Sequence, residues 1–311
     1  MRKVIGIGET ILDILFRNNQ PTAAVPGGSV FNSIVSLARL GVTTCFISEV
    51  GGDHVGNLVK AYMHDNGITT DYLDTYTDNK SPISLAFLND NNDAAYSFYK
   101  NYPEKRLDVE LPQVEKDDIV IIGSYYSVTP ALRSKHLELL DAARDKGAIV
   151  YYDFNFRYPH KSEAIKLASY MLENMEYASI VRGSADDFMC LYDMTGADRI
   201  YDDKIRFYCP NFIYTQGSGD VSVRTDKVHK DYPIKPIKTV STVGAGDNFN
   251  AGLLYGLLRL GIGIDDIDNI SESQWDEIVA YGIMLASEAC LSYGNSISKE
   301  FAAKIASAGL H

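Results

Sequence analysis

The sequence predicts an α/β protein in which helices flank a central, mostly parallel sheet, with a small antiparallel sheet standing off it. Three observations lead to this prediction: short apolar runs rich in β-branched residues, helical patterns between those runs, and two strand-like segments outside the alternation. Strands that alternate with helices form parallel sheets covered on both faces. The length allows one large domain or two modest ones. The chain has no internal repeat and no low-complexity linker, and we expect a single domain over residues 1–311.

The apolar runs predict six strands of the central sheet. Each run is short and continuously apolar, which is typical of a strand that is buried on both faces. The runs are VIGIG at 4–8, TCFISEV at 44–50, DIVIIG at 118–123, AIVYYDF at 148–154, ASIVR at 178–182 and NFIYT at 211–215.

Helices are predicted between these strands at 30–41, 131–147 and 162–175. The first two patterns end in Gly41 and Gly147, and glycine commonly ends a helix. Ser162 is expected to cap the third helix, because its hydroxyl can accept from the first-turn N–H groups. After about residue 245 we expect the chain to be mainly helical.

Residues 11–17 and approximately 82–108 are predicted to form the small sheet, which we call the lid. The string NDNND at 89–93 predicts a hairpin turn between two strands. Several aromatic residues of the lid could stack on or cover a bound ligand, or form a half-buried strand face or a dimer contact; they are Tyr96, Phe98, Tyr99 and Tyr102.

The composition excludes several classes of protein. There are 29 basic and 41 acidic residues, a net charge of −12, so nucleic acid and anionic membranes are poor partners. The four cysteines lie far apart without a CxxC pair, which indicates neither a disulfide framework nor a zinc site. The start MRKVIGIGET does not resemble a signal peptide, and no apolar run approaches the roughly 18 residues of a membrane span. We therefore expect a cytoplasmic protein.

The stretch STVGAGDNFNAG at 241–252 carries the strongest indication of chemistry. Gly244, Ala245 and Gly246 lead into a helical apolar pattern, so unhindered first-turn N–H groups can bind an anion such as a phosphate. Asp247 would repel a resting phosphate, but it makes sense if the phosphate is being transferred and the carboxylate takes a proton from the acceptor. Taken alone, such a loop is more often an ordinary helix start with an acidic residue.

Two other phosphate-binding motifs are missing from the sequence. No GxxxxGK[ST] occurs, so the stretch is not a Walker loop. The string GIGETI at 6–11 has Ile11 where a dinucleotide fingerprint needs its third glycine. A nicotinamide-dependent oxidoreductase therefore loses support.

Two long sequence elements, and three shorter ones between them, occur in a characteristic order along the chain. They are PGGSVFNSIVSLARLG at 26–41, EVGGDHVG at 49–56, DFNFR at 153–157, TQGSGD at 215–220 and STVGAGDNFNAG at 241–252. Together they resemble the PfkB (ribokinase-like) family of small-molecule kinases. The resemblance implies a ribokinase-like three-layer sandwich with a small β lid. It also implies ATP-dependent phosphorylation of a hydroxyl, usually the CH2OH group of a sugar.

The resemblance assigns roles to residues of both long elements. Asp247 corresponds to the catalytic base, and Gly244, Ala245 and Gly246 to the anion hole. The residues implied to bind the sugar are Asp13, Gly27, Gly28 and Asn32. Without the resemblance, a turn aspartate and a helix-cap asparagine are the preferred interpretations of Asp13 and Asn32.

The resemblance also assigns nucleotide and magnesium contacts. Thr215, Gly217 and Gly219 fall at the nucleotide turn, where QGSGD is also a plain hairpin turn. Ser184 and Asp187 fall where the family carries NxxE, which organises Mg²⁺ near the phosphates of ATP through water. Arg157 either neutralises phosphate charge or forms a surface ion pair.

The sequence departs from the family pattern at two places. Ser241 stands where the second element normally begins with an aspartate that helps to bind a monovalent cation, so we expect weak or absent potassium activation. Serine at 184 and the shorter acid at 187 replace Asn and Glu. An active kinase is expected because Asp247 is intact, and a sugar- or nucleotide-binding protein that has lost turnover is the alternative.

Among sugars, the likeness to fructokinases favours D-fructose or a related ketose or keto-sugar acid. A nucleoside kinase would need a pocket for a base, for which the sequence shows no feature. A phosphorylated sugar would need basic residues near the lid, where Lys100, Lys105 and Arg106 are available. The resemblance also implies a homodimer formed through the lid, whose edge strands would otherwise stay unpaired.

Overall fold

The computed structural model describes residues 2–89 and 94–307, which form two sheets and the helices around them. The strands are β1 Val4–Ile7, β2 Ile11–Arg17, β3 Gln20–Gly27, β4 Thr44–Gly51, β5 Leu73–Tyr76, β6 Ile83–Leu88, β7 Ala94–Tyr99, β8 Ile119–Gly123, β9 Ile149–Asp153, β10 Ile180–Ser184, β11 Phe212–Thr215, β12 Val221–Arg224 and β13 His229–Tyr232. The α-helices are α1 Ser29–Arg39, α2 His54–Asp65, α3 Arg133–Lys146, α4 Ala164–Tyr177, α5 Ala185–Tyr192, α6 Ala197–Ile200, α7 Ala245–Arg259, α8 Glu272–Ala289 and α9 Lys299–Ser307. Short 3₁₀ helices occur at Tyr125–Val128, Pro130–Leu132, Tyr158–Glu163 and Ile267–Asn269, and a π-helical turn at Tyr201–Ile205.

The large sheet has nine strands among the described residues, in the order β13-β12-β11-β10-β9-β8-β1-β4-β5. The strands from β11 to β5 run parallel, while β12 and β13 are antiparallel at one edge. All six predicted strands are confirmed, and they make up the middle of the sheet. The edge strands β5, β12 and β13 are four residues each and carry no long apolar run.

Both faces of this sheet are buried, which explains the continuous apolar runs. In β8, Ile119 and Ile121 pack into one core with helices α1, α2, α7 and α8. Val120 and Ile122 point the other way, into a second core with α3, α4 and α5. The three-layer α/β sandwich predicted from the sequence is therefore confirmed.

Gly147 directly follows α3 in a left-handed conformation, so the predicted end of this helix is correct. The prediction for Ser162 is wrong. This residue lies inside the 3₁₀ helix Tyr158–Glu163, and α4 begins at Ala164 without a side-chain cap. The preceding 3₁₀ turn already brings Glu163 to a helical conformation, so the chain enters α4 without the extended residue that a capping serine occupies.

Helix α7 lies against α8 at a close approach of the two backbones. A Cβ at Gly252 would fall 2.6 Å from the Cα of Gly282 on α8. The glycine spacing in α7 therefore serves helix packing. This close contact positions the middle of α7 against α8.

The lid is a four-stranded sheet in the order β3-β2-β6-β7. The outer pairs are antiparallel, and the central pair β2–β6 is parallel. The antiparallel pairing of β6 with β7 agrees with the predicted hairpin, although residues 90–93 of its turn string lie outside the described residues. Strand β3 was not predicted, and the predicted lid segment beyond residue 99 contains no strand.

Within residues 2–89 and 94–307, no helix is both long enough and apolar enough to cross a bilayer.

Candidate active site

A cleft opens between the lid and the ends of the central strands. Ser124 directly follows β8 and Asn155 lies two residues after β9, and both line it from below, while Tyr96 and Phe98 of β7 line it from the lid. Asp247, at the start of α7, closes one side. In open α/β sheets ligands bind at the carboxyl ends of the strands, and this cleft has that position.

Asp247 is held by the helix that follows the first glycine pair. The side-chain amide of Asn32 donates to Asp247 Oδ2 at 2.7 Å, and the hydroxyl of Ser33 donates to the backbone oxygen of Asp247 at 2.7 Å. Burial raises the pKa of Asp247 to about 6, although the hydrogen bond from Asn32 and the nearby Arg157 favour the ionised form. A carboxylate of this pKa is ionised at pH 7 and still able to take a proton.

The turn before α7 depends on glycine. Gly244 has φ +81°, and a Cβ there would fall 2.6 Å from the backbone oxygen of Asn295. The N–H of Ala245 donates to the carbonyl of Thr242 at 3.2 Å, within the turn itself. The N–H groups of Gly246 and Asp247 belong to the first helical turn, which has no intrahelical acceptor for them. These two amides are the donors that an anion can use here.

Asp13, on β2, is a second buried acid of the cleft. The hydroxyl of Ser84, on the neighbouring lid strand, donates to one of its oxygens, and Asn295 Nδ2 donates to the other at 2.7 Å. Burial raises the pKa of Asp13 to about 6 against these two donors. The lid and the chain near the C-terminus thus meet at this carboxyl group.

The glycine pair at 27–28 leaves room for these groups. A Cβ at Gly27 would overlap the carboxyl group of Asp13, and one at Gly28 would overlap the backbone oxygen of Glu9. The four residues implied to bind the sugar therefore converge: Asp13, Gly28 and Asn32 line the cleft, and Gly27 packs directly behind Asp13.

Aromatic rings cover the cleft from above. The rings of Tyr96 and Phe98 stack on each other with centroids 5.6 Å apart, and the guanidinium of Arg157 lies 5.6 Å from the centre of the Tyr96 ring. His160 stacks on Tyr125 at 3.9 Å, and both line the cleft. Tyr99 does not line it and is 58% exposed.

The basic residues near the lid are already paired. Lys100 Nζ lies 2.7 Å from Glu9 Oε2 at the edge of the cleft. Arg106 is buried against Glu49, and Lys105 pairs with a neighbouring aspartate on the surface. These three cations are therefore neutralised by carboxylates.

The predicted nucleotide turn lies beside the strand that carries Ser184. Ser184 and Thr215 are paired at the ends of β10 and β11, and the hairpin with Gly217 and Gly219 follows. The hydroxyl of Thr215 accepts from Arg182 Nη2 at 2.7 Å. The structure thus brings the two predicted nucleotide segments together at the carboxyl ends of the neighbouring strands β10 and β11.

Asp187 forms a capping box with Ser184, the N-cap residue of α5. One of its oxygens accepts from the backbone N–H of Phe156 at 2.7 Å, and the other accepts from both the N–H and the hydroxyl of Ser184 at 2.7 Å. These bonds use the carboxylate locally, which disfavours a direct bond to a metal ion. No cluster of metal-binding side chains occurs within the part of the chain that the structure describes.

A buried polar network behind the anion site was not predicted. Arg182 binds Asp153 through Nη1 at 3.0 Å and Thr215 through Nη2, and Asn250 donates to Asp153 at 2.7 Å. A Cβ at Gly246 would fall 3.3 Å from Arg182 Nη2, so the guanidinium lies directly behind the anion site. Asp153 belongs to the DFNFR element, but no motif singles out Arg182.

Two residues that line the cleft have unusual backbone conformations. Ser124 has φ 57° and Asn155 has φ 35°, both on the left-handed side that favours glycine. Strained conformations of this kind cluster at functional sites. A sequence pattern cannot reveal them, because neither residue is a glycine.

The pfkB family carbohydrate kinase model matches residues 1–302 of the chain. Among curated relatives, "Probable fructokinase-6, chloroplastic" of Arabidopsis thaliana is 27% identical over 272 residues, which cover 82% of this chain and 70% of the relative. The fructokinase of Solanum tuberosum is 25% identical over 267 residues, covering 81% of this chain and 79% of the relative.

Solved structures share the fold. Fructokinase from Vibrio cholerae O395, in its fructose-, ADP- and calcium-bound form, has a TM-score of 0.80 at 22% identity and covers 95% of this chain and 94% of its own. Aminoimidazole riboside kinase from Salmonella enterica, complexed with aminoimidazole riboside and an ATP analogue, has a TM-score of 0.77 at 22% identity and covers 100% of both chains.

Proposed function

We propose that this chain, which belongs to the pfkB family of carbohydrate kinases, phosphorylates a primary hydroxyl of D-fructose or a closely related ketose. The chain is an ATP-dependent sugar kinase. One observation carries the finer proposal: Asn32 and Asp247, 215 residues apart, are joined by a 2.7 Å hydrogen bond at the edge of the cleft. This bond supports the proposal, because it joins the carboxylate proposed to accept the proton to a residue proposed to bind the sugar.

In the proposed mechanism Asp247 is the general base. It takes the proton of the sugar hydroxyl while the oxygen forms a bond to the γ-phosphorus of ATP, and the bond from that phosphorus to the bridging oxygen of ADP breaks. The N–H groups of Gly246 and Asp247, after the tight turn at Gly244 and Ala245, stabilise the charge on the transferred group. Asn32 orients the carboxylate of Asp247 through its amide.

Asp13 and Asn32 supply the contacts to the other sugar hydroxyls, with Gly27 and Gly28 leaving space for the ring. A neutral sugar fits better than a phosphorylated one, because Lys100, Lys105 and Arg106 are paired with carboxylates. Fructose is favoured because curated relatives that match most of the chain are named fructokinases.

A keto-sugar acid is the second candidate substrate, and Arg157 favours it. This side chain lines the cleft, and its guanidinium lies over the ring of Tyr96. A substrate carboxylate placed there would meet a cation that is positioned by an aromatic face. In a fructose kinase, the same cation would instead help to neutralise the phosphates.

ATP is proposed to bind at the carboxyl ends of β10 and β11, beside Ser184, Thr215, Gly217 and Gly219. Its phosphates are directed at the N-terminus of α7. Mg²⁺ would arrive with the nucleotide and offset the charge of its phosphate oxygens. Ser184 and Asp187 would act on the ion only through water, since the carboxylate of Asp187 already accepts three hydrogen bonds.

A coupled assay of ADP release tests the proposal. The purified chain is mixed with ATP, Mg²⁺ and one of D-fructose, D-ribose, a keto-sugar acid, fructose 6-phosphate or a nucleoside. We expect the highest kcat/KM with fructose, and phosphorus NMR is expected to place the new phosphate on a primary hydroxyl. A chain that binds sugar by calorimetry but releases no ADP with any compound would be a binding protein.

A further inference from the structure

Asn295 lies in the segment between α8 and α9 and has no exposed surface. Its Nδ2 donates to Asp13 Oδ2 at 2.7 Å, across 282 positions of sequence. Its Oδ1 is buried and has no hydrogen-bond partner among the residues that the structure describes. A buried amide with one unused oxygen costs stability, so its position calls for a functional reason.

The environment fixes which end of the amide faces Asp13. A Cβ at Gly27 would fall 2.6 Å from Asn295 Nδ2, so the side chain is enclosed between β3 and Asp13. If the amide were turned round, its oxygen would face the carboxylate of Asp13 and repel it. Asn295 therefore acts as a donor, and the donor stabilises the ionised form of Asp13.

The backbone of Asn295 contacts the phosphoryl site as well. Its carbonyl oxygen accepts from Asn248 Nδ2 at 2.9 Å, and the same amide donates to the carbonyl of Gly244 at 2.7 Å. The turn at Gly244 packs against this carbonyl of Asn295. One residue thus bridges the acid of the sugar site and the turn that begins α7.

We propose that Asn295 is a positioning residue that keeps Asp13 ionised and oriented toward the sugar, and so sets the affinity for sugar at neutral pH. The inference rests on the proposed function, in which Asp13 accepts from a sugar hydroxyl. It predicts that the donor of Asn295 matters for sugar binding and little for ATP.

The charges around Asp13 give the direction of the effect. Burial raises its pKa to about 6, the donors Ser84 and Asn295 lower it, and the carboxylates of Asp247 and Glu9 raise it. Glu9 is itself paired with Lys100. Loss of the Asn295 donor therefore raises the pKa of Asp13 toward neutral pH. A larger fraction of Asp13 is then protonated at pH 7, and protonated Asp13 can no longer accept two hydrogen bonds from a sugar.

The experiment compares Asn295→Ala and Asn295→Asp with Asn211→Ala. Asn211 is the matched control, since its buried amide also donates to an aspartate, Asp268, at 2.8 Å, but at the amino end of β11, opposite to the carboxyl ends of the strands where the cleft lies. For Asn295→Ala we expect the sugar KM at pH 7 to rise about tenfold, the effect of losing a hydrogen bond to a charged group. We expect kcat and the KM for ATP to stay within about twofold.

The pH profile distinguishes a positioning role of Asn295 from a purely structural role. In the wild type, kcat/KM for the sugar should fall as the pH drops through about 6. This fall should move to higher pH in Asn295→Ala and further in Asn295→Asp, because two adjacent carboxyl groups cannot both ionise readily. Raising the pH to about 8.5 should restore sugar affinity in both variants. Asn211→Ala should lower Tm without moving either quantity.

If Asn295→Ala does not fold, Asn295→Asp carries the test, because it keeps the shape of the side chain and is expected to move the pH profile in the same direction. A lower Tm with unchanged sugar KM and unchanged pH profile would overturn the inference and leave Asn295 as a packing residue. A wild type that turns over no sugar would instead count against the proposed function. In that case sugar dissociation constants measured by calorimetry over the same pH range make the same comparison.

Discussion

At the scale of single residues, the site combines two buried acids that have the same raised pKa but different partners. Asp247 is held by Asn32 beside the first turn of α7, whereas Asp13 is held by Ser84 and Asn295 below the lid. Burial raises the pKa of each to about 6. Position therefore separates their proposed roles, because only Asp247 lies next to first-turn amides that can hold a phosphoryl group.

Asp247→Asn tests the general base. The amide keeps the shape of the carboxyl group and can still accept from Asn32, but it cannot take a proton. We expect kcat to fall by about 100- to 10,000-fold, while the dissociation constant for the sugar changes by only a few-fold. Steady-state kinetics and calorimetry measure the two effects.

Glu272→Gln is the control for Asp247→Asn. Glu272 is also an acidic residue in the first turn of a long helix, α8, but it lies on the surface. Its removal should leave kcat unchanged. Turnover of Asp247→Asn close to that of the wild type would refute the assignment of the base.

Ser241 carries a prediction about potassium. Its hydroxyl is buried and already accepts from the N–H of Val243 at 3.2 Å, and it brings no charge for a cation. We expect activity in potassium chloride to stay within about twofold of activity in the chloride of a large organic cation, at equal ionic strength. Ser241→Asp should increase the response to potassium. A strong requirement for potassium in the wild type would contradict this interpretation of Ser241.

At the scale of secondary-structure elements, the start of α7 concentrates the constraints. The helix is fixed from one side by its close contact with α8 at Gly252. At its N-terminus the carbonyl of Asn295 fills the space beside Gly244, and the guanidinium of Arg182 fills the space behind Gly246. The proposed anion site is therefore a tightly packed turn, in which a side chain would displace either the backbone or a buried cation.

Gly244→Ala tests this rigidity. The substitution combines a left-handed backbone, which costs about 1–2 kcal/mol for a residue with a Cβ, with an overlap of that Cβ and the carbonyl oxygen of Asn295. We expect Tm to fall and kcat to fall by at least about tenfold, because the first-turn amides must shift. Thermal unfolding and steady-state kinetics measure the two effects.

Gly41→Ala is the matched control. Gly41 has φ +80°, nearly the value at Gly244, but a Cβ there meets no atom within 4 Å. The variant should lose about 1 kcal/mol of stability from the backbone alone and keep its kcat. Equal effects of the two substitutions on kcat would show that the contact between Gly244 and Asn295 is not important.

The elements that the sequence predicts are those whose signal is local. The central strands follow from continuous apolar runs, since burial on both faces requires apolar side chains at every position. Strand β3 is QPTAAVPG, whose two prolines and small residues give no strand pattern, and its place in the lid comes from pairing with β2. The end of α3 at Gly147 is likewise local, whereas the start of α4 depends on the 3₁₀ turn before it.

The residues of the candidate site also fall into two groups, those with a local sequence signal and those without one. Gly244, Gly246 and Asp247 lie within four positions of one motif, so the sequence alone indicates them. Arg182 and Asn295 reach the site only through the fold, across 33 positions to Thr215 and 282 positions to Asp13. Their local sequence carries no signal, because their role depends on a partner far along the chain.

At the scale of the whole molecule, the lid presents two different faces. Its inner face carries Ser84 against Asp13, together with Tyr96 and Phe98 over the cleft. Side chains alternate along a strand, so Phe87 points the opposite way on β6; it stacks on Phe16 at 5.0 Å and is 38% exposed. The outer face is therefore apolar and partly open to solvent.

This outer face is the basis of the predicted homodimer. A sheet with an exposed apolar face and unpaired edge strands tends to associate, and a second copy of the chain presents the same surface.

We expect the wild type to sediment as a dimer at micromolar concentration, and Phe87→Glu to sediment as a monomer, because a charge would be buried in the contact. Ile165→Glu is the control: Ile165 is 91% exposed on α4, belongs to no strand of the lid, and its substitution should leave the dimer intact. Phe87 does not line the cleft, so the monomeric variant should keep its sugar KM within about threefold. A wild type that sediments as a monomer at every concentration would show that the outer face of the lid is not a contact between copies.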